Sequence, residues 1–335
     1  MPTHPRSPSN AASVLILHSG GTLGMDPARR FPSGLEPGEY LEDLVSVVPE
    51  LQELASIQTE ILFNLDSANI GPEQWSQMSR RLDAERESYD AFVIVHGTDT
   101  MAYSAAALSL ALAGFGKPVV FTGSQLPLRA MRTDAKSNLL NSVACAVSGK
   151  LREVAICFGH DLLRGNRARK VHSSHYDAFH SVGHPPLAEL GIDLEWNEDA
   201  LLKNPGPYQA RFSFDPRVLR LPIVPGNDPQ ELLGRPHQRG VRGLVIEAFG
   251  TGNVPSLDRR WLDWLAREQE AGVLIFLITQ CRSGPLYPGL YKTGQELLDL
   301  GIIPAARMSP EAATAKLMLC LAHPDLDPRV SLAGE

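Results

Sequence analysis

The chain has 335 residues, with 31 Lys and Arg against 38 Asp and Glu, a formal net charge of −7, 43% hydrophobic and 21% charged residues. That length suits two domains, and the composition excludes disorder along the whole chain. The acidic balance argues against a polyanion as the main partner, because phosphate recognition needs clustered Lys and Arg.

Residues 1–12 are rich in Pro, Ser and Thr and read as a disordered tail. The first apolar run, Val14–Leu17, is too short for a signal peptide. No stretch reaches the roughly 18 apolar residues of a membrane span, so a cytoplasmic chain is expected. Cys145, Cys157, Cys281 and Cys320 lie far apart without Cys-x-x-Cys spacing and read as reduced, mostly core residues.

In chain order, short apolar runs end in small polar turns. Val14–Leu17 precedes Ser19-Gly20-Gly21-Thr22, and Phe92–Val95 precedes His96-Gly97-Thr98-Asp99-Thr100. Val119–Phe121 precedes Thr122-Gly123-Ser124, and Val154–Phe158 precedes Gly159-His160-Asp161. Runs without alternation suit strands buried on both faces of a parallel sheet. Helices are predicted over Pro72–Arg86, which opens with Pro, and over Ala102–Leu112, which stops at Gly114. Repeated prolines over Glu198–Arg239 predict an interdomain linker. Beyond it, strands over Gly243–Ala248 and Val273–Ile278 and helices over Leu257–Glu270 and Pro310–Leu321 predict a smaller α/β domain. The expected division is a catalytic domain over 13–204, a linker over 205–239 and a C-terminal domain over 240–335.

Three segments carry chemistry at such strand ends, where α/β folds bind ligands. The glycines before Thr22 permit close backbone approach, with its hydroxyl beside free N–H groups; the other reading is a tight turn with Thr22 as a helix cap. Asp99 between two threonines can hold an ammonium, or cap the following helix. Arg164–Lys170 puts four cations in seven residues, which reads as a solvated run unless one lysine is buried beside Asp and Thr and serves as a base. His96 reads as a packed strand-end residue. His172, His175, His180 and His184 lack a carboxylate at ligand spacing and read as a flexible loop, so neither a metal nor a cofactor is expected.

Taken together, these residues resemble the asparaginase/glutaminase family of threonine amidohydrolases, most closely its bacterial type I, cytoplasmic branch. Gly20–Gly24 is similar to the family's first signature and His96–Thr100 to its second. Thr122–Leu128, Asn138–Asn141, Arg164–Arg167, Gly250–Asn253 and Thr279–Cys281 are similar to type I blocks. The resemblance implies a two-domain α/β fold, with a larger N-terminal mixed sheet flanked by helices and a smaller C-terminal parallel-sheet domain.

It also implies that Thr22 is the nucleophile, with Thr98, Asp99 and Lys170 as a second catalytic group. Gly21, Asp66, Ser67 and Ala68, with Thr98 and Asp99, then hold an L-asparagine substrate, which leaves as aspartate and ammonia. Ala68 stands where relatives carry a polar side chain. The family's lid Tyr is replaced by Phe31, with Tyr40 a distant substitute. Glu247 and Arg169 occupy positions of an effector site in some type I enzymes, so that site is expected to be absent or altered. A homodimer or homotetramer is implied, with no nucleic acid and no membrane partner. The alternatives are an amidohydrolase subunit of a tRNA-dependent amidotransferase, and a catalytically impaired amino-acid binder.

Overall fold

The computed structural model describes residues 11–25, 44–290, 292–305 and 307–335. Most of the expected tail, and the lid candidates Phe31 and Tyr40, lie outside these residues. The chain divides into two compact units, Met1–Phe212 and Ser213–Glu335.

In the first unit, β1 (Ser13–His18), β2 (Ser56–Ile61), β3 (Ala91–Val95), β4 (Val119–Thr122) and β5 (Val154–Phe158) run parallel in the order β2-β1-β3-β4-β5. Next, β6 (Asp161–Arg164), β9 (Ala188–Leu190) and β10 (Leu194–Trp196) extend the sheet antiparallel to eight strands. A separate hairpin pairs β7 (Ala168–Lys170) with β8 (Phe179–Ser181). Every residue of β3, β4 and β5 is buried, as their unbroken apolar runs predict. The edge strand β2 was not legible in the sequence, because Ser56-Ile57-Gln58-Thr59-Glu60-Ile61 is half exposed and reads as polar.

The helices of this unit are α1 (Leu44–Val47), α2 (Leu51–Leu54), α3 (Pro72–Ala84), α4 (Met101–Ala111) and α5 (Ala135–Ala146). Pro72 opens α3 at a position whose N–H has no intrahelical partner, and Gly71 N–H donates to the Gln74 side chain. All of α4 is buried except Tyr103, which its small Ala and Ser side chains allow. Phe92 and Phe121 are fully buried in the sheet; cutting such a ring back to Ala costs about 3–5 kcal/mol.

The cationic run Arg164–Lys170 is not a solvated face, since none of its residues is exposed. Arg164 and Arg167 are buried, and Arg164 Nε lies 2.5 Å from Glu153 Oε2, while its Nη2 donates to Ala200 O at 2.9 Å. A carboxylate and a carbonyl supplied by distant segments make burial of this guanidinium tolerable.

The second unit is a parallel four-stranded sheet, β11 (Val218–Pro222), β12 (Gly243–Ala248), β13 (Leu274–Thr279) and β14 (Ile303–Pro304), in that order. It carries α6 (Pro229–Leu233), α7 (Arg260–Glu270), α8 (Lys292–Asp299) and α9 (Pro310–Ala322). Both β11 and α6 therefore lie inside the stretch expected as linker. Proline is compatible with each: Pro222 ends an edge strand, and Pro229 starts a helix whose first turn is capped by Asp228. Within the first unit, residues 209–211 of that stretch lie along α4, with Gln209 N–H on Ala113 O and Arg211 N–H on Ala111 O.

Candidate active site

Strand order reverses between β1 and β3, which are neighbours in the sheet although β2 intervenes in sequence. Such a reversal opens a crevice at the carboxyl ends of the two strands. The segments that leave β1 and β3 are the two glycine–threonine turns, and both line one cavity of about 260 Å³.

The first turn is shaped by its glycines. Gly20 and Gly21 have φ of +117° and +100°, values closed to ordinary side chains. Ser19 anchors the turn to β3, its N–H and Oγ both donating to Val95 O at 2.9 Å. Thr22 then opens a short 3-10 turn, and no side chain caps it. Half-buried, Thr22 lines the cavity.

In the second turn, Thr98 is buried and Asp99 exposed. Lys170 arrives from β7, and its Nζ donates to Thr98 Oγ1 at 2.7 Å and to Asp99 Oδ1 at 2.6 Å. Its side chain is 17% exposed against 68% for Asp99, so the lysine nitrogen stands at the cavity wall while the carboxylate keeps contact with water. The register of the hairpin, Lys170 opposite Phe179, fixes which residue of the cationic run reaches the site.

The third wall is the Asp66–Ser67 turn. Asp66 Oδ1 accepts from Ala68 N–H at 2.8 Å, and Thr100 Oγ1 donates to Ser67 O at 2.6 Å. Asp66 and Ser67 line the cavity, whereas Ala68 is exposed on the turn and contributes its N–H to Asp66. The fourth wall includes Gln125, whose N–H donates to the Asp134 carboxylate and whose amide donates to His175 O at 2.8 Å.

Of the residues expected at the site, Gly21, Thr22, Asp66, Ser67, Thr98, Asp99 and Lys170 line this one cavity. Met25, Gln125 and Ser173 also line it and were not singled out. Gln125 lay within a recognised block, and Ser173 follows Lys170 by three positions; proximity to Lys170 was the only available signal. Asn138, in another block, has a structural part: its Nδ2 donates to Gly123 O and its Oδ1 accepts from Gly159 N–H.

β1 ends in His18 and β3 is followed at once by His96, and both histidines are buried. Burial lowers His18 to about 4 from 6.5, helped by repulsion from His96. Burial likewise lowers His96 to about 4, opposed by its bond to Gly97 O. His18 Nδ1 accepts from Gly20 N–H at 3.2 Å.

In the second unit, Glu247 is buried and accepts from Arg220 Nε at 2.7 Å. Cys281 is exposed and the other three cysteines are buried; all four are free thiols. The histidine-rich segment is part of a built hairpin, with His172 ring-to-ring at 5.5 Å from His175 and 6.3 Å from His180. Among the described residues, no group of three or more His, Cys, Asp or Glu could hold a metal ion, and no helix is long and apolar enough to cross a membrane.

Fold and site define the class: a two-unit α/β enzyme whose threonines, lysine and carboxylate converge at a switch point of a mixed sheet, between two of its parallel strands. The chain belongs to the asparaginase family. Residues 13–202 match the asparaginase N-terminal family model, and residues 217–330 match that of the glutaminase/asparaginase C-terminal domain. The chain is 34% identical to L-asparaginase 1 of Escherichia coli K12, over 93% of this chain and 92% of that one. It is 35% identical to a glutamyl-tRNA(Gln) amidotransferase subunit of Thermococcus kodakarensis, over 93% of this chain and 72% of that protein. Among solved structures, L-asparaginase I of Vibrio cholerae superposes with a TM-score of 0.84 at 32% identity, covering 95% of both chains.

Proposed function

We propose that this protein hydrolyses the side-chain amide of L-asparagine to L-aspartate and ammonia through a covalent acyl-threonine. The observation that carries the reading is Lys170 Nζ between Thr98 Oγ1 and Asp99 Oδ1, on the wall of the cavity that Thr22 lines.

A threonine hydroxyl is a weak nucleophile until a neighbouring base takes its proton. Thr22 Oγ attacks the amide carbon while its proton passes to Thr98 Oγ1 and the Thr98 proton passes to Lys170, which enters this step as the neutral amine. The tetrahedral intermediate collapses with the proton delivered to the leaving nitrogen, and ammonia departs. Water then attacks the ester by the same route, freeing aspartate and restoring Thr22. Backbone N–H groups beside Thr22 and Thr98 hold the developing oxyanion, the interaction that contributes most to acyl transfer in sites of this kind. Asp99 binds the substrate α-ammonium, and Asp66 and Ser67 hold its α-amino and α-carboxylate groups. This chemistry uses side-chain and backbone groups of the chain itself and needs no cofactor.

The same reading includes a cytoplasmic homodimer or homotetramer. In it the effector site at Glu247 is absent or altered, because that carboxylate already pairs with Arg220 and would repel an effector's carboxylate. The alternative, an amidotransferase component, draws on the likeness to the Thermococcus kodakarensis protein, of which the chain matches 72% against 92% for L-asparaginase 1.

Ammonia release from asparagine by wild type and Thr22→Ala tests the proposal. Wild type is expected to turn over and Thr22→Ala to lose at least about 10³-fold in kcat. Equal rates would remove Thr22 as nucleophile, and ammonia transfer only in the presence of a partner and charged tRNA would favour the amidotransferase.

A further inference from the structure

Three loops meet at Gly97. A Cβ placed on Gly21 would lie 2.5 Å from Gly97 Cα, and one placed on Gly97 would lie 2.7 Å from Ser67 Oγ. The backbone at Gly97 therefore sets how the Thr22 turn and the Ser67 turn stand against Thr98.

Gly97 is held from the core side by a line of buried polar groups. His96 Nδ1 lies 2.6 Å from Gly97 O, Ser104 Oγ lies 2.8 Å from His96 Nε2, and Trp75 Nε1 lies 3.0 Å from Ser104 Oγ. His96, Ser104 and Trp75 are 1%, 0% and 4% exposed. Trp75 belongs to α3 and Ser104 to α4, so two helices reach the end of β3 through this line.

Its polarity follows from what each group can do. A carbonyl only accepts, so His96 Nδ1 carries the proton and donates to Gly97 O. In the neutral ring Nε2 is then an acceptor, and Ser104 O–H donates to it. An indole N–H only donates, so Trp75 supplies Ser104 Oγ. Burial keeps the ring neutral, in agreement with its lowered pKa. The three bonds run in a single direction.

We propose that Trp75, Ser104 and His96 form a positioning relay for the site, locking the Gly97 carbonyl inward so that the Thr98 N–H turns toward the cavity as an oxyanion donor. The geometric step is peptide planarity: in a trans peptide the N–H of Thr98 points opposite the carbonyl of Gly97. None of the three side chains meets substrate, so all are positioning residues, and the inference rests on the amidohydrolase reading of the site. Removing the central hydroxyl strips Nε2 of its donor and frees the ring to exchange tautomers, which loosens Gly97 and the oxyanion geometry, not substrate capture.

Two measurements decide it. Steady-state kinetics on asparagine should show kcat about tenfold lower for Ser104→Ala with KM within about twofold, and a smaller loss of about threefold for Trp75→Phe. Ser104→Thr, which keeps the hydroxyl, should recover most of kcat. Wild-type kcat in Ser104→Ala, or a change confined to KM, overturns the relay. Independently of turnover, long-range 15N–1H spectra of wild type at neutral pH, with His96 assigned by comparison with His96→Gln, should show a protonated Nδ1 and a bare Nε2. The opposite tautomer overturns the relay even if Ser104→Ala fails to fold. Absence of ammonia release by wild type would count against the amidohydrolase reading alone, because the tautomer still decides the relay.

Discussion

Lys170 Nζ stands 2.7 Å from Thr98 Oγ1 across a sequence separation of 72 residues. Neither segment makes the arrangement alone. The turn after β3 presents the hydroxyl, and the β7–β8 hairpin turns one particular cation of a basic run toward it.

Lys170→Met should lower kcat by about 10³-fold, within the range for losing a group that moves protons in the transition state. Stability should change little. The partner left behind, Asp99, is 68% exposed and is rehydrated, and ion pairs with an exposed member contribute little. Ammonia-release kinetics and a thermal melt together check this; a collapsed melt would make Lys170 a structural residue.

Gly97→Ala should inactivate the protein more than it destabilises it. The new methyl would press on Ser67 Oγ at 2.7 Å and Ser67 Cβ at 2.8 Å, forcing apart the turns that line the cavity. Overpacking of this kind costs about 1–3 kcal/mol, and a shift of about 1 Å at reacting groups costs about 10²-fold in rate. Urea titration and kcat/KM measured on the same sample separate the two effects.

Acid should destabilise the fold in a defined window. His18 and His96 are lowered to about 4 in the folded chain, whereas their unfolded values lie near 6.5. Between these values the unfolded chain binds more protons, so stability present above pH 6.5 is lost as pH falls toward 4. The full loss is about 3 kcal/mol per ring. Urea midpoints at pH 7.5, 5.5 and 4.5 should fall in that order, with a shallower fall in His18→Gln. A flat profile over this range would contradict the neutral buried rings.

Glu153→Ala should cost about 3 kcal/mol or more, because it leaves the buried Arg164 guanidinium without its carboxylate. It also removes the acceptor of Leu202 N–H, now at 2.7 Å. Chemical unfolding of Glu153→Ala beside Glu153→Gln measures the loss; the amide keeps an acceptor for Leu202 and should cost less.

A length of 335 residues and a charge of −7 mark an acidic chain of two-domain size, and the motifs add the chemistry. Strand ends over β1, β3, β4 and β5, and both threonine turns, were legible because their signals are local: unbroken apolar runs, and glycines where the backbone turns sharply. What stayed illegible was decided by partners far away in sequence. The edge strand β2 and the proline-bearing β11 look like loops until a neighbouring strand pairs with them. The cations of Arg164–Lys170 look alike as letters. Glu153 draws Arg164 inward, and the hairpin register brings Lys170 to Thr98. The sequence by itself determined which chemical groups were on hand and where the chain must turn. Only the tertiary structure decided which charge is buried and which hydroxyl it meets, because desolvation and hydrogen-bond geometry depend on neighbours that no local pattern names.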